Sequence, residues 1–138
     1  MKQVITYLHF GGNCREAMEF YKQCLGAELY LLPFSEVPGD LLKEAKDATD
    51  RIMHATLTKG SPILMAADTM PGTPLQQGNS FSVIIECENL EETERLFTAL
   101  GEGGKVTMPL QDTFWGARFG TLTDRFGISW MFNFAHPK

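Results

Sequence analysis

Apolar and polar residues alternate along residues 4–10 (VITYLHF), which predicts a β-strand ended by Gly11-Gly12. The period then changes. Asn13 reads as a helix N-cap, with Glu16 three residues on as in a capping box. Ala17, Phe20, Tyr21 and Cys24 follow at helical spacing, so a helix is expected over about 13–25, stopped by Gly26. Residues 28–33 (ELYLLP) predict a second strand. Residues 34–51 predict a long polar connection with a short helix near 40–47. Residues 52–58 (IMHATLT) and 62–67 (PILMAA) predict a hairpin turning at Lys59-Gly60-Ser61. Pro71, Gly72, Pro74 and Gly78 mark a linker over 68–79.

The pattern then restarts. Residues 80–87 (SFSVIIEC) predict a strand. Asn89 and Glu92 repeat the helix-start signal, and Thr93, Leu96, Phe97 and Leu100 carry a second helix over about 90–101, closed by Gly101, Gly103 and Gly104. Strands are expected at 105–109, 117–123 and 128–134, the last two joined through Asp124-Arg125-Phe126-Gly127. A shift of 76 residues lays Thr6 on Ser82, Asn13 on Asn89, Glu16 on Glu92 and Tyr21 on Phe97. In the hairpins TLT at 56–58 falls on TLT at 121–123, and Met65 on Met131. An internal duplication of strand, helix and three strands follows. The expected fold class is α+β: two βαβββ modules, about 1–70 and 79–138, in one 138-residue domain, with mixed sheets forming a shared trough. A single module cannot cover both faces of its sheet, and a ligand would sit in that trough.

Composition narrows the functions. The chain is 43% hydrophobic with 10 Phe, enough for a sizeable core, and no long segment reads as disordered. Its net charge is −5, and its Lys and Arg residues are scattered. Neither a nucleic-acid nor a membrane partner is therefore expected. No run of about 18 apolar residues predicts a membrane span, and Asn13, Arg15, Glu16 and Glu19 near the start argue against a secretory signal, so a cytoplasmic location is expected. Cys14, Cys24 and Cys87 form no C-x-x-C pair and read as reduced, mostly buried thiols.

Two stretches carry a family resemblance. YLHFGGNCREAMEFYKQCLGAEL resembles the opening βα unit of vicinal oxygen chelate proteins, and LQDTFWGARFGTLTDRFGISWMFN resembles the C-terminal signature of their PhnB-like branch. The resemblance covers essentially the whole chain. It implies four metal-ligand positions, one from the first and one from the last strand of each module. Residue-by-residue matching puts these on Thr6, Met65, Ser82 and Met131. None is His, Asp or Glu, and a thioether suits no Mg, Mn, Ni or Zn site of this kind. No metal and no cofactor are therefore expected.

Strand parity directs His54, Thr56 and Thr58 into the trough and packs Met53, Ala55 and Leu57 on a helix. His54 is either hydrogen-bonded to a neighbouring strand or an acid–base or ligand-contacting group, since imidazoles as a class titrate near neutral pH. His9 is expected on the helix side or near the Gly11-Gly12 turn, and His136 in a solvated tail. Phe114 and Trp115, before a strand, are a packed plug, a dimer contact or an aromatic wall for a flat ligand. Asp112 suits a turn, or could accept a hydrogen bond from a ligand. Asn133 shares the parity of Met131 as a polar handle, whereas Trp130 belongs to the core.

The 101–104 run GEGG follows a helix and precedes a strand, the wrong order for a phosphate cradle, and no G-x-G-x-x-G or G-x-S-x-G is present. A nucleotide or S-adenosylmethionine site is not expected, and the demethylubiquinone methyltransferase label carried by some relatives finds no physical support in these residues. The first expectation is a protein that sequesters or carries a small organic molecule, lined by Thr6, His54, Met65, Ser82, Phe114, Trp115, Met131 and Asn133. The alternative is an enzyme of the same superfamily, metal-free with His54 as acid–base group or using a metal for lyase- or dioxygenase-type chemistry. A third possibility is a Met-filled core without a ligand. The large number of aromatic side chains favours a homodimer.

Overall fold

The computed structural model describes residues 1–36 and 50–138. The short helix expected near 40–47 lies outside them. The chain divides into two compact units, Met1–Gln76 and Gln77–Lys138.

The first unit contains β1 (Thr6–Phe10), α1 (Cys14–Leu25), β2 (Glu28–Pro33), a 3₁₀ turn at Phe34–Glu36, β3 (Ile52–Lys59) and β4 (Ser61–Asp68). Its sheet runs β1-β4-β3-β2. β1 is parallel to β4, while β3 is antiparallel to both β4 and β2. Cys14, Ala17, Met18, Tyr21 and Cys24 are the buried stripe of α1, at the spacing that one helix face requires. They meet Leu8, Phe10, Ala55, Leu57, Leu64 and Ala66, the buried alternate positions of β1, β3 and β4.

The start of α1 differs from expectation. The Asn13 side chain makes no cap. Asp68 at the end of β4, nearly fully buried, takes its place: Oδ1 accepts from the Gly12 and Cys14 amides at 2.8 and 3.0 Å, and Oδ2 from the Ile52 amide at 2.8 Å. A carboxylate holding three amides satisfies the first-turn donors more strongly than a neutral Asn can, and its charge suits the positive helix end. Gly26 ends the helix in the left-handed region at φ 61°.

The second unit repeats the plan with β5 (Val83–Glu86), α2 (Leu90–Gly101), β6 (Lys105–Asp112), β7 (Ala117–Thr123) and β8 (Ser129–Ala135), in sheet order β5-β8-β7-β6. Here the sequence signal holds: the Asn89 side chain accepts from the Glu92 amide at 2.8 Å. Glu92 in turn accepts from the Glu88 amide at 3.0 Å. Thr93, Leu96 and Leu100 are buried from α2, and Trp130, Phe132 and Leu122 from the sheet, so Trp130 is core as its parity predicted. The Trp130 indole donates to Asp124 Oδ2 at 2.8 Å while Asp124 Oδ1 accepts from the Phe126 and Ile128 amides, which fixes the β7–β8 turn. β6 is longer than the expected 105–109 and slips register twice, between Val106 and Met108 and between Met108 and Gln111. Pro109, with no amide to donate, falls inside the second slip. β5 is shorter than expected, beginning after Phe81 and Ser82.

Candidate functional site

Within each unit one sheet face is taken by that unit's helix, and the other is defined by the strand register. In the first unit Tyr7 pairs with Met65, Met65 with Thr56, and Thr56 with Tyr30. Paired residues share a face, so these four stand on the side opposite α1. Two positions along, His9 pairs with Ala67 on β4, and His54 stands on β3 across from Leu32. In the second unit the same face carries Ile84 opposite Met131, Glu86 opposite Asn133, Thr121 opposite Met131, and Phe119 opposite Asn133.

This register changes one expected site residue. Thr6 pairs with Leu64, which is buried, and shares the parity of the buried Leu8 and Phe10. Thr6 is therefore on the helix side, exposed at the sheet end, and Tyr7 occupies the open-face position facing Met65. His9 is corrected in the opposite sense: it stands on the open face with Tyr7. The equivalent of Tyr7 is Ile84, so the first strands match at a shift of 77 even though the helices match at 76. Ser82 lies just before β5 and is exposed. The cross-strand pairs at these positions are thus Tyr7 with Met65 in one unit and Ile84 with Met131 in the other. Neither a phenol beside a thioether nor an isoleucine beside a thioether suits a hard or borderline divalent cation. Among the described residues no group of three or more His, Cys, Asp or Glu is placed to hold a metal ion.

His54 is half-buried and engaged at both ring nitrogens. Nδ1 lies 3.1 Å from the Tyr7 hydroxyl and Nε2 2.9 Å from Thr56 Oγ1. Either neutral tautomer satisfies both contacts, because both hydroxyls can donate or accept. Tyr7 reaches diagonally across β4 to make its bond. Its ring centroid stands 5.2 Å from that of His9 and 5.7 Å from that of His54. Burial, with the Cys14 thiol second, raises the Tyr7 hydroxyl above its ordinary range, which keeps it a protonated phenol.

Met65 and Met131 are half-buried on their open faces. Asn133 is there as expected, but its amide already donates to Glu86 Oε2 at 2.9 Å. Phe114 and Trp115 form the β6–β7 turn, 98% and 60% exposed, with ring centroids 4.9 Å apart. The Trp115 ring also comes within 6.3 Å of Phe119, so the turn adjoins the open face of its own sheet. Thr113 and Gly116 brace the turn through bonds to Ala117 and His136. His136 is not simply solvated: its Nε2 lies 3.0 Å from Asp112 Oδ1, and Arg118 stands 3.7 Å from the same oxygen. All three cysteines are reduced thiols. Burial, then the Asp68 carboxylate, pushes Cys14 up to about 12, while burial raises the half-buried Cys87 thiol. Neither has the lowered thiol pKa of a nucleophilic cysteine.

Tyr7, Thr121 and Phe119 were not expected on the open face, and His9 was expected on the other side of the sheet. The Tyr7-x-His9 alternation and the repeated TLT motif were the available signals.

A family model described as 3-demethylubiquinone-9 3-methyltransferase matches residues 2–132. Protein YjdN of Escherichia coli (strain K12) is 35% identical over 139 residues, covering 92% of this chain and 91% of that protein. The crystal structure of protein PA1353 from Pseudomonas aeruginosa is 46% identical, with a TM-score of 0.88 over 99% of this chain and 100% of that one. A putative 3-demethylubiquinone-9 3-methyltransferase, PhnB protein, from Bacillus cereus is 28% identical, with a TM-score of 0.78 over 97% and 100% of the two chains. At 13% identity, a glyoxalase/bleomycin resistance protein/dioxygenase family enzyme from Burkholderia phytofirmans PsJN shares the fold alone, with a TM-score of 0.63 over 94% and 97%. The two four-stranded sheets, each with its own helix, and the match along nearly the whole sequence place the chain in the family described as 3-demethylubiquinone-9 3-methyltransferase.

Proposed function

We propose that the chain binds a small organic molecule at its open sheet faces, to sequester or carry it, with no divalent metal at Tyr7, Met65, Ile84 or Met131. The observation that carries this reading is what those faces present. Tyr7 is 40% exposed and Ile84 50%, with Met65, Met108, Phe119 and Met131 beside them and a few fixed hydrogen-bonding groups among them. Exposed apolar and aromatic side chains with sparse polar handles are the composition of a ligand surface.

The chemistry of the site favours binding over catalysis. To act as an acid or base, His54 would have to release Tyr7 or Thr56. Methyl transfer, the activity in the Bacillus protein's name, also lacks support at the β1–α1 turn. There the Gly12 and Cys14 amides are already given to Asp68, so the start of α1 is not open to a cofactor's anionic group.

The test is a thermal-denaturation screen of untagged protein against a varied set of small apolar and aromatic molecules. A ligand at 100 times its Kd stabilises the folded chain by about 2.7 kcal/mol. For a domain this size that is a rise of roughly 8–10 °C. Met65→Glu, which sets a charge in the middle of the first open face, should abolish the shift. Absence of any shift across the screen, or an undiminished shift in Met65→Glu, would refute the proposal.

A further inference from the structure

The first unit's open face holds an arrangement that nothing in the family description assigns. His9, Tyr7 and His54 form a row of three rings, with Tyr7 tilted 38° and 35° against its neighbours. The open-face positions of β1, β3 and β4 around the row are Tyr7, His9, His54, Thr56, Met65 and Ala67, with no carboxylate, ammonium or guanidinium among them. Ala67, opposite His9, is the smallest side chain on this part of the face. The His54 nitrogens are both occupied, and they hold Tyr7 in place. Among the described residues no group hydrogen-bonds the His9 ring, which is exposed.

We propose that this row binds a planar aromatic ligand bearing an acidic oxygen, a carboxylate or a phenolate, with its ring packed against Tyr7 and its oxygen hydrogen-bonded by His9. This inference rests on the small-molecule-binding reading and names the ligand class for the first unit. The ring row favours a flat ligand, since aromatic pairs gain from offset and edge contacts beyond the area they bury. The imidazole selects the substituent. His9 can donate to an oxyanion, whereas a cationic ligand would find no counter-charge among the positions around the row. The chain's net charge of −5 opposes an anion only at long range. In physiological salt that repulsion is screened over about 8 Å, so the direct contact decides. His54 is a positioning residue here, acting through Tyr7.

The experiment is calorimetric titration of the full chain with three probes: 2-naphthoate, its neutral isostere 2-naphthamide, and the non-aromatic cyclohexanecarboxylate. Binding of 2-naphthoate should be about tenfold tighter than that of either other probe. Tyr7→Leu should weaken 2-naphthoate about tenfold and Tyr7→Phe less, because the ring survives. His9→Leu should remove the preference for naphthoate over naphthamide; it alters an exposed side chain with no hydrogen bond, so the fold is not at risk. Near-ultraviolet dichroism of the buried Trp130 verifies folding in each variant. Equal binding of cyclohexanecarboxylate would overturn the ligand class and leave the binding reading standing. Naphthoate binding unchanged in both Tyr7→Leu and His9→Leu would overturn the site. No saturable naphthoate binding would overturn this inference alone, because the thermal screen judges the binding reading with other chemistries.

Discussion

Cys14 shows how burial sets the chemistry of a single group. Its side chain is fully enclosed, and its thiol is pushed from an ordinary 9.0 up to about 12, by burial first and by Asp68 second. The sign follows directly. Below pH 9 the thiol is protonated in both folded and unfolded chains, so its contribution to stability is fully present there. Above pH 9 the unfolded thiol ionises first, and that stability is lost progressively as pH rises to about 12. At 1.36 kcal/mol per pH unit, the gap of about three units sets a ceiling of about 4 kcal/mol. We expect the alkaline loss of unfolding free energy between pH 9 and 12 to be shallower in Cys14→Ala than in the parent chain. Parallel slopes, measured by urea unfolding across that range, would contradict the assignment. Native Cys14 should also resist thiol reagents at pH 8, whereas Cys87, half-buried, should react ahead of it.

At the scale of elements, the two helix starts carry the same Asn-x-x-Glu signal and solve the same problem differently. Asn89 caps α2 with its own side chain; α1 is capped by Asp68, from a strand 55 positions later than Asn13. Asn89→Ala should cost about 1 kcal/mol and Asn13→Ala less than about 0.5. Asp68→Ala should cost about 3 kcal/mol or more, because three amides, two of them buried, lose a charged acceptor. Chemical denaturation of the three variants checks the order, and an Asn13→Ala loss equal to that of Asn89→Ala would contradict it. The long-range cap was not legible, since nothing local marks Asp68 as the partner of Gly12 and Cys14. Both helices and both hairpins were legible, because their periods and turn residues are local. The phase of β1 was not. In ITYLHF, Ile5 and Tyr7 make one face look as apolar as Leu8 and Phe10 make the other, so alternation alone could not decide which side meets α1. The gapless match through the helices then carried Thr6 into the place that Tyr7 holds. In the closing strands the burial of Trp130 and Phe132 set the phase unambiguously, and Met131 and Asn133 fell on the open face as read.

At the scale of the whole molecule, duplication explains why each unit leaves a sheet face without a helix: one helix per four-stranded sheet covers one side only. The duplicated positions have diverged in chemistry. One unit presents Tyr7, His9 and His54, and the other Ile84, Glu86 and Phe119. The exposed Phe114–Trp115 turn is a surface of a different kind, and we propose that it contributes to a homodimer. Light scattering at micromolar concentration should give twice the 15.4 kDa chain mass, and Trp115→Ser should move the mass toward that of one chain. A single-chain mass for the parent protein would refute the dimer.

The central claim is that this chain holds a small organic molecule on its open faces without a divalent metal. Native mass spectrometry of untagged protein, after incubation with the compounds that shift its melting temperature, tests both halves at once. The account predicts one organic adduct per chain, formed equally after exhaustive chelation and absent in Met65→Glu. A stoichiometric divalent ion retained on the untreated protein, with ligand adducts that vanish when the ion is removed, would contradict it.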